Sequence, residues 1–201
     1  MDEDLRAALL SWIAADDRTR ARLAADGGLF AGYHPEMEAV HRENAARLRE
    51  VVDATGWPGR GRVGDDGASA AFRILQHAIG EPALLRAYLP RLQEAARGGD
   101  VDPAEVAMLE DRIRVFEGRP QRFGTQLDWS DDGEAMVPMN GVERPESVDL
   151  RRAEVGLPPI VWRQPPPEEQ ARPADLAARR AEGDAWARRV GWRGQGPGGS
   201  R

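Results

Sequence analysis

Apolar residues recur at Leu5, Ala8, Leu9, Trp12, Ile13 and Leu23 with charged residues between them. This is the three-and-four spacing of a helix over residues 2–25, and Gly27-Gly28 ends it. Pro35 stands where a first helical residue belongs. Met37, Val40, Leu48, Val51 and Val52 then mark a second helix that stops at Gly56-Trp57-Pro58. The run GRGRVGDDG is rich in turn formers and reads as a loop. ASAAFRILQHAI after it is apolar on nearly every side, the pattern of a helix at the centre of a bundle. Pro82 opens a fourth helix that Gly98-Gly99 closes; Pro90 lies inside it and lacks the amide hydrogen of a helical ladder, so a bend or break is expected there. Asp102-Pro103-Ala104-Glu105 has the capping aspartate, early proline and third-position glutamate of a helix start, and Val106, Leu109, Ile113 and Phe116 carry its stripe to Gly118.

Residues 119–144 show no helical period and few strand signals, which predicts an ordered loop wrapping the bundle, with room for a short hairpin. Ser147 is placed to cap a short helix, VDLRRAEV, ended by Gly156 and Pro158. Pro165–Pro167 reads as a linker, followed by a charged helix over residues 174–189 and a disordered GQGPGGSR end. The fold class that follows is all-α: a bundle of five or six helices with a long irregular C-terminal wrap. The expected division is a helical domain over 1–162 and a linker, charged helix and tail over 163–201.

Composition removes several chemistries. The 201 residues hold no cysteine, so disulfides, thiolate nucleophiles and Cys-based zinc sites are excluded. All 28 basic residues are arginine, which leaves no P-loop lysine and no Schiff-base or pyridoxal-phosphate site. The net charge is −6 with the two signs interleaved, and residues 163–201 carry eight arginines against five acids, a mildly basic tail on an acidic body. A duplex-binding surface is not favoured, and no nucleic-acid partner is expected. The opening MDEDLRAALL has no long apolar run, so neither a leader nor a membrane contact is expected and the protein is placed in the cytoplasm.

Against that background a few side chains stand out. Gly59–Gly64 matches G-x-G-x-x-G, but a helix precedes it and no βαβ pattern surrounds it, so it reads as a loop whose following helix could at most receive an anion beside Arg60 and Arg62. On the second helix His41 and Asn44 share the apolar face with Met37, Leu48 and Val51; they are either a buried hydrogen bond or the wall of a pocket. Gln76 and His77 interrupt the central helix, and His77 suits acid/base work if another group orients it. Asp111 falls on the second apolar face of the fifth helix with Ala104, Ala107, Met108 and Val115, and an interior carboxylate requires a cation or donors. Arg112, His77 or the arginines of the loop could serve. Gln121, Thr125 and Gln126 in RPQRFGTQ could bind a ligand or tie the loop down. The three histidines lack H-E-x-x-H spacing and no G-x-S-x-G is present, so neither a metal nor a serine hydrolase is expected.

The succession HRENAARLREVV, WPGRGRVGDDGASAAFRILQHA, MLEDRIRVFEGRPQRFGTQ and PESVDLRRAEVGLPP resembles a bacterial family labelled domain of unknown function 6624, over about Leu5 to Pro159. The resemblance implies recurring polar positions at Asn44, Arg47, Gln76, His77, Asp111, Arg112, Glu117, Gln121, Gly124, Thr125 and Gln126. It implies no reaction. The chain departs from the pattern at Phe72, where tryptophan is usual, and at Ile79, where an acid commonly follows Gln-His-Ala.

Two functions are carried forward. The first is a small enzyme using acid/base chemistry without an organic redox cofactor, with His77 as acid/base and Asp111 as its orienter. Asn44, Arg47, Gln76, Arg112, Gln121, Thr125 and Gln126 then hold a small polar molecule, a carboxylate or phosphate on it matching the guanidinium groups. The second is an interaction module in which Trp162, Trp186 and Trp192 of the tail engage a protein partner or another copy.

Overall fold

A computed structural model describes residues 1–25, 27–28, 32–167 and 172–194. Helices α1 (Glu3–Ala25), α2 (Pro35–Thr55), α3 (Arg60–His77), α4 (Pro82–Arg97), α5 (Pro103–Phe116), α6 (Val148–Glu154) and α7 (Leu176–Arg189) make the protein all-α, with one two-stranded sheet among the described residues, β1 (Leu127–Trp129) and β2 (Met136–Pro138). Two compact units divide the chain, residues 1–106 and 107–201, with the boundary inside α5. No helix among the described residues is long and apolar enough to cross a membrane.

In the first unit α1, α2 and α3 pack pairwise. Leu9, Ile13 and Leu23 of α1, Met37, Leu48 and Val52 of α2, and Phe72, Ile74 and Leu75 of α3 are all buried, the stripes that the spacing marks. Helix α3 is the core helix, with Ala68, Ala70 and Ala71 buried as well. Two local expectations change. GRGRVGDDG is not a loop throughout: one helical turn forms at Arg60–Val63, Gly64 breaks it with φ 74° and ψ 175°, and the helix resumes. The reason is Asp100, in the turn between α4 and α5, whose carboxylate accepts the Gly61 amide at 2.8 Å and lies where a Cβ on Gly59 would stand. The anion expected at this turn is thus the chain's own. Helix α4 also runs unbroken through Pro90.

The second unit holds the rest of α5 and the wrap. Here the hairpin forms, pairing Leu127 with Pro138, Asp128 with Val137 and Trp129 with Met136 in antiparallel register. Ser147 precedes α6 without a side-chain cap bond, whereas Asp175 caps α7 by accepting the Ala178 amide at 2.8 Å. The GQGPGGSR end lies outside the described residues beyond Gly194.

Candidate functional site

Three helices each deliver one polar side chain to a single volume in the first unit. Asp16 extends the buried stripe of α1, three residues after Ile13 and seven before Leu23, and is fully buried. His41 reaches it from α2 and His77 from the last position of α3. His77 Nδ1 stands 2.7 Å from Asp16 Oδ2, and His41 Nε2 faces the same oxygen at 3.3 Å. The two imidazole centroids are 5.2 Å apart. The Tyr33 hydroxyl meets His41 Nδ1 at 2.8 Å and its ring stacks on the imidazole, so both nitrogens of that ring are directed. The His77 side chain is 26 % exposed, against 11 % for His41, so the cluster opens to solvent on the His77 side.

The electrostatics are those of a dry carboxylate under two rings. Burial pushes the Asp16 carboxyl up, but the two imidazoles that face it prevail and hold it well below the ordinary carboxylate range. Burial raises the Tyr33 phenol, and the charges of Glu38 and Asp16 raise it further, so it stays protonated as a hydroxyl. Asp16 Oδ1 is buried and accepts no hydrogen bond among the described residues. An acceptor left in that state is costly in a purely structural pair. At the rim, Arg73, one turn before His77 on α3, pairs with Asp17 at 2.5 Å and is 42 % exposed.

The expected pairing of His77 with Asp111 is corrected. Asp16 is the carboxylate that orients His77, and Asp111 serves another purpose in the second unit. Fully buried, Asp111 accepts the amides of Arg122 at 2.7 Å, Phe123 at 3.1 Å and Thr125 at 3.0 Å, and the Thr125 hydroxyl at 3.0 Å. Gln121, also fully buried, donates to the carbonyls of Gln126 and Met139 at 2.7 Å and accepts the Gln126 amide at 2.8 Å. Arg112 donates to Gln126 Oε1 at 3.0 Å. Asp111, Arg112, Gln121, Thr125 and Gln126 therefore bond one another and fasten the loop to α5.

In the first unit Asn44 donates to the Trp12 carbonyl at 3.2 Å and ties α2 to α1. Arg47 pairs with Glu43 and stacks its guanidinium over Trp12. Gln76 is buried beside His77 on α3. Of the residues singled out from the sequence, His77 and His41 lie in the cluster, His41 from a position that reads as either a buried hydrogen bond or a pocket wall; Asp16 and Tyr33 carry no reading from the sequence. The test that exposed Asp111, a polar residue at an apolar-stripe position, identifies Asp16 too when applied to α1.

Two of the three tail tryptophans are engaged inside the second unit. Trp186 and Trp192 both pack on Phe116, with ring centroids 5.5 Å and 5.2 Å away, and Arg193 donates to the Phe116 carbonyl. Arg179 and Arg180 of α7 pair with Asp128. Trp162 is 45 % exposed.

A model of a family of unknown function, DUF6624, matches residues 3–164. No curated protein and no solved structure matches the chain.

Proposed function

The chain belongs to DUF6624, a family of unknown function that lends it no reaction, and we propose from the cluster itself that the protein is a small cytoplasmic enzyme with Asp16, His41 and His77 as its reacting centre. The observation that carries this reading is the fully buried Asp16 carboxylate held against two imidazoles, one of them partly open to solvent. A buried charge is expensive relative to an apolar side chain of similar size, and such arrangements concentrate where chemistry is done. With Asp16 accepting from Nδ1, the neutral His77 ring has Nε2 as its proton-accepting nitrogen, the division of labour of an oriented general base. Arg73, one turn before His77 on α3 and 42 % exposed, can exchange its Asp17 partner for a carboxylate or phosphate on the substrate. Hydrolysis, elimination and group transfer all need such a proton acceptor, and none needs an organic redox cofactor. The engagement of Trp186 and Trp192 within the chain favours this reading over a tail that docks partners.

The test is a thermal-shift and turnover screen of the full chain and its His77→Gln variant against carboxylate- and phosphate-bearing metabolites. The expected result is at least one compound that stabilises the protein, is converted by it, and loses both effects in a cooperatively folded variant. A stable protein with no His77-dependent shift or conversion refutes the reading.

A further inference from the structure

We infer that Asp16, His41 and His77 form a binding site for one divalent transition-metal ion, which deepens the reading above because the ion then supplies the group that gives up the proton. One ligand atom from each residue, a carboxylate oxygen and two ring nitrogens, falls within 4.8 Å of the other two. A tetrahedral ion with bonds of about 2.0–2.1 Å holds its ligand atoms roughly 3.3 Å apart. Of the two separations onto Asp16 Oδ2, the 3.3 Å to His41 Nε2 matches that spacing and the 2.7 Å to His77 Nδ1 is shorter, so the His77 ring must draw back to admit an ion.

Four further observations point to a cation rather than to a hydrogen-bonded triad. Asp16 Oδ1 is buried with no donor among the described residues, although a carboxylate in a purely structural role is expected to have both oxygens satisfied. His41 Nε2 is likewise buried, and at 3.3 Å from the carboxylate its orientation makes no proper hydrogen bond. With both rings neutral the cluster carries a buried negative charge, which a divalent ion reverses. Tyr33 occupies the outer nitrogen of His41, and metal-bound imidazoles characteristically have their second nitrogen held by such a partner. The hydroxyl can accept from Nδ1–H as readily as donate to it, so the ring can turn its Nε2 lone pair toward the ion.

The donor set selects the metal class. Two imidazoles and one carboxylate suit zinc, iron, cobalt or nickel, whereas magnesium and calcium take oxygen ligands. Three protein ligands would leave a coordination position for water or substrate, and solvent has access to the cluster from the His77 side. Water in that position is acidified by the ion; its proton passes to solvent or to the leaving group, and the oxygen that remains attacks the substrate. In the loaded state His77 Nδ1 would be a ligand with its proton on Nε2, so the proton-accepting role that Nε2 has in the metal-free ring would pass to the metal-bound water. The chain has only three histidines and no cysteine, so the remaining imidazole, His34, is a clean control; its Nδ1 accepts the Glu36 amide at the start of α2.

The experiment titrates the chelator-treated full chain with cobalt(II), reading its visible absorption, and then with zinc(II), reading displacement of the cobalt and the melting temperature. One equivalent is expected to bind. His41→Gln and His77→Gln are each expected to weaken zinc binding at least tenfold while retaining a cooperative melt, and His34→Gln to leave it unchanged. Tyr33→Phe is expected to weaken it by about 10–100-fold, the usual effect of losing an orienting partner. Absence of one-equivalent binding, or binding that survives in both ligand variants, overturns the site. Conversion that depends on His77 but persists under chelator overturns the metal alone. One-equivalent binding without any conversion sustains the metal and removes the enzymatic reading.

Discussion

Replacing Asp111 by alanine separates the role the structure gives it from a catalytic one. The carboxylate accepts from three backbone amides and one hydroxyl, and alanine removes all four acceptances at once. The Phe123 amide lies in a buried bond and loses its partner outright, a cost of about 1–3 kcal/mol. The Arg122 amide and the two Thr125 donors are only partly buried; water reaches them, and each adds about 0.5–1 kcal/mol. The sum, about 2.5–6 kcal/mol, is a large part of the roughly 5–15 kcal/mol that separates a folded domain from its unfolded chain. Guanidinium unfolding followed by the fluorescence of Trp129, buried in the same unit, reads the loss as a lower midpoint at unchanged slope. Hydrogen exchange at Phe123 and Thr125 should accelerate in parallel. A loss below about 1 kcal/mol would refute the argument, since an orphaned buried donor alone costs more. A variant with intact stability and abolished conversion would return Asp111 to the chemistry.

Two further outcomes are expected. Burial, with the charge of Asp102 adding to it, raises the Glu105 carboxyl from its ordinary 4.5 to about 7. The folded chain therefore binds more protons than the unfolded one between those values, and this group's contribution to stability falls as pH rises from 4.5 to 7. Glu105→Gln removes the effect and, after allowance for partial exposure, should be more stable by about 1–3 kcal/mol at pH 8 and unchanged near pH 4, read from urea midpoints at both pH values. A variant no more stable at pH 8 would disprove the assignment. Trp192, buried against Phe116, should cost about 3–5 kcal/mol when truncated to alanine. Deleting the chain after Trp162 should therefore destabilise the second unit and not merely remove an arm, a point that a melting comparison settles directly.

Much of this architecture is written in short-range pattern. The stripes of α1, α2 and α5 mark the buried faces because burial follows helical period, and Asp102 marks a helix start because a free amide needs an acceptor. The polar breaks at Asn44, Gln76, His77 and Asp111 likewise pick out side chains that the fold buries or half-buries. The pairing of these breaks is a different matter. Asp16, Asp111 and Asp128 are all buried, and the pairing of His77 with Asp16 depends on how α1 packs on α3, information that no window of sequence contains. Asp16 was also disguised by its setting, since it lies in the charged run Ala15-Asp16-Asp17-Arg18 beside an exposed aspartate. The loop after α5 resisted reading for a related reason: its order comes from bonds to Asp111 and Gln121, not from a repeating local pattern.

Asp100 gives the glycine-rich turn at Gly59–Gly64 a ligand that never leaves. Because that carboxylate is covalently part of the chain, its local concentration at the Gly61 amide is set by the fold and does not fall on dilution. A dissolved phosphate must displace it and also accommodate the charge it leaves behind. The turn thus has the outline of an anion cradle whose Gly61 amide is already taken by a carboxylate 39 residues away in sequence.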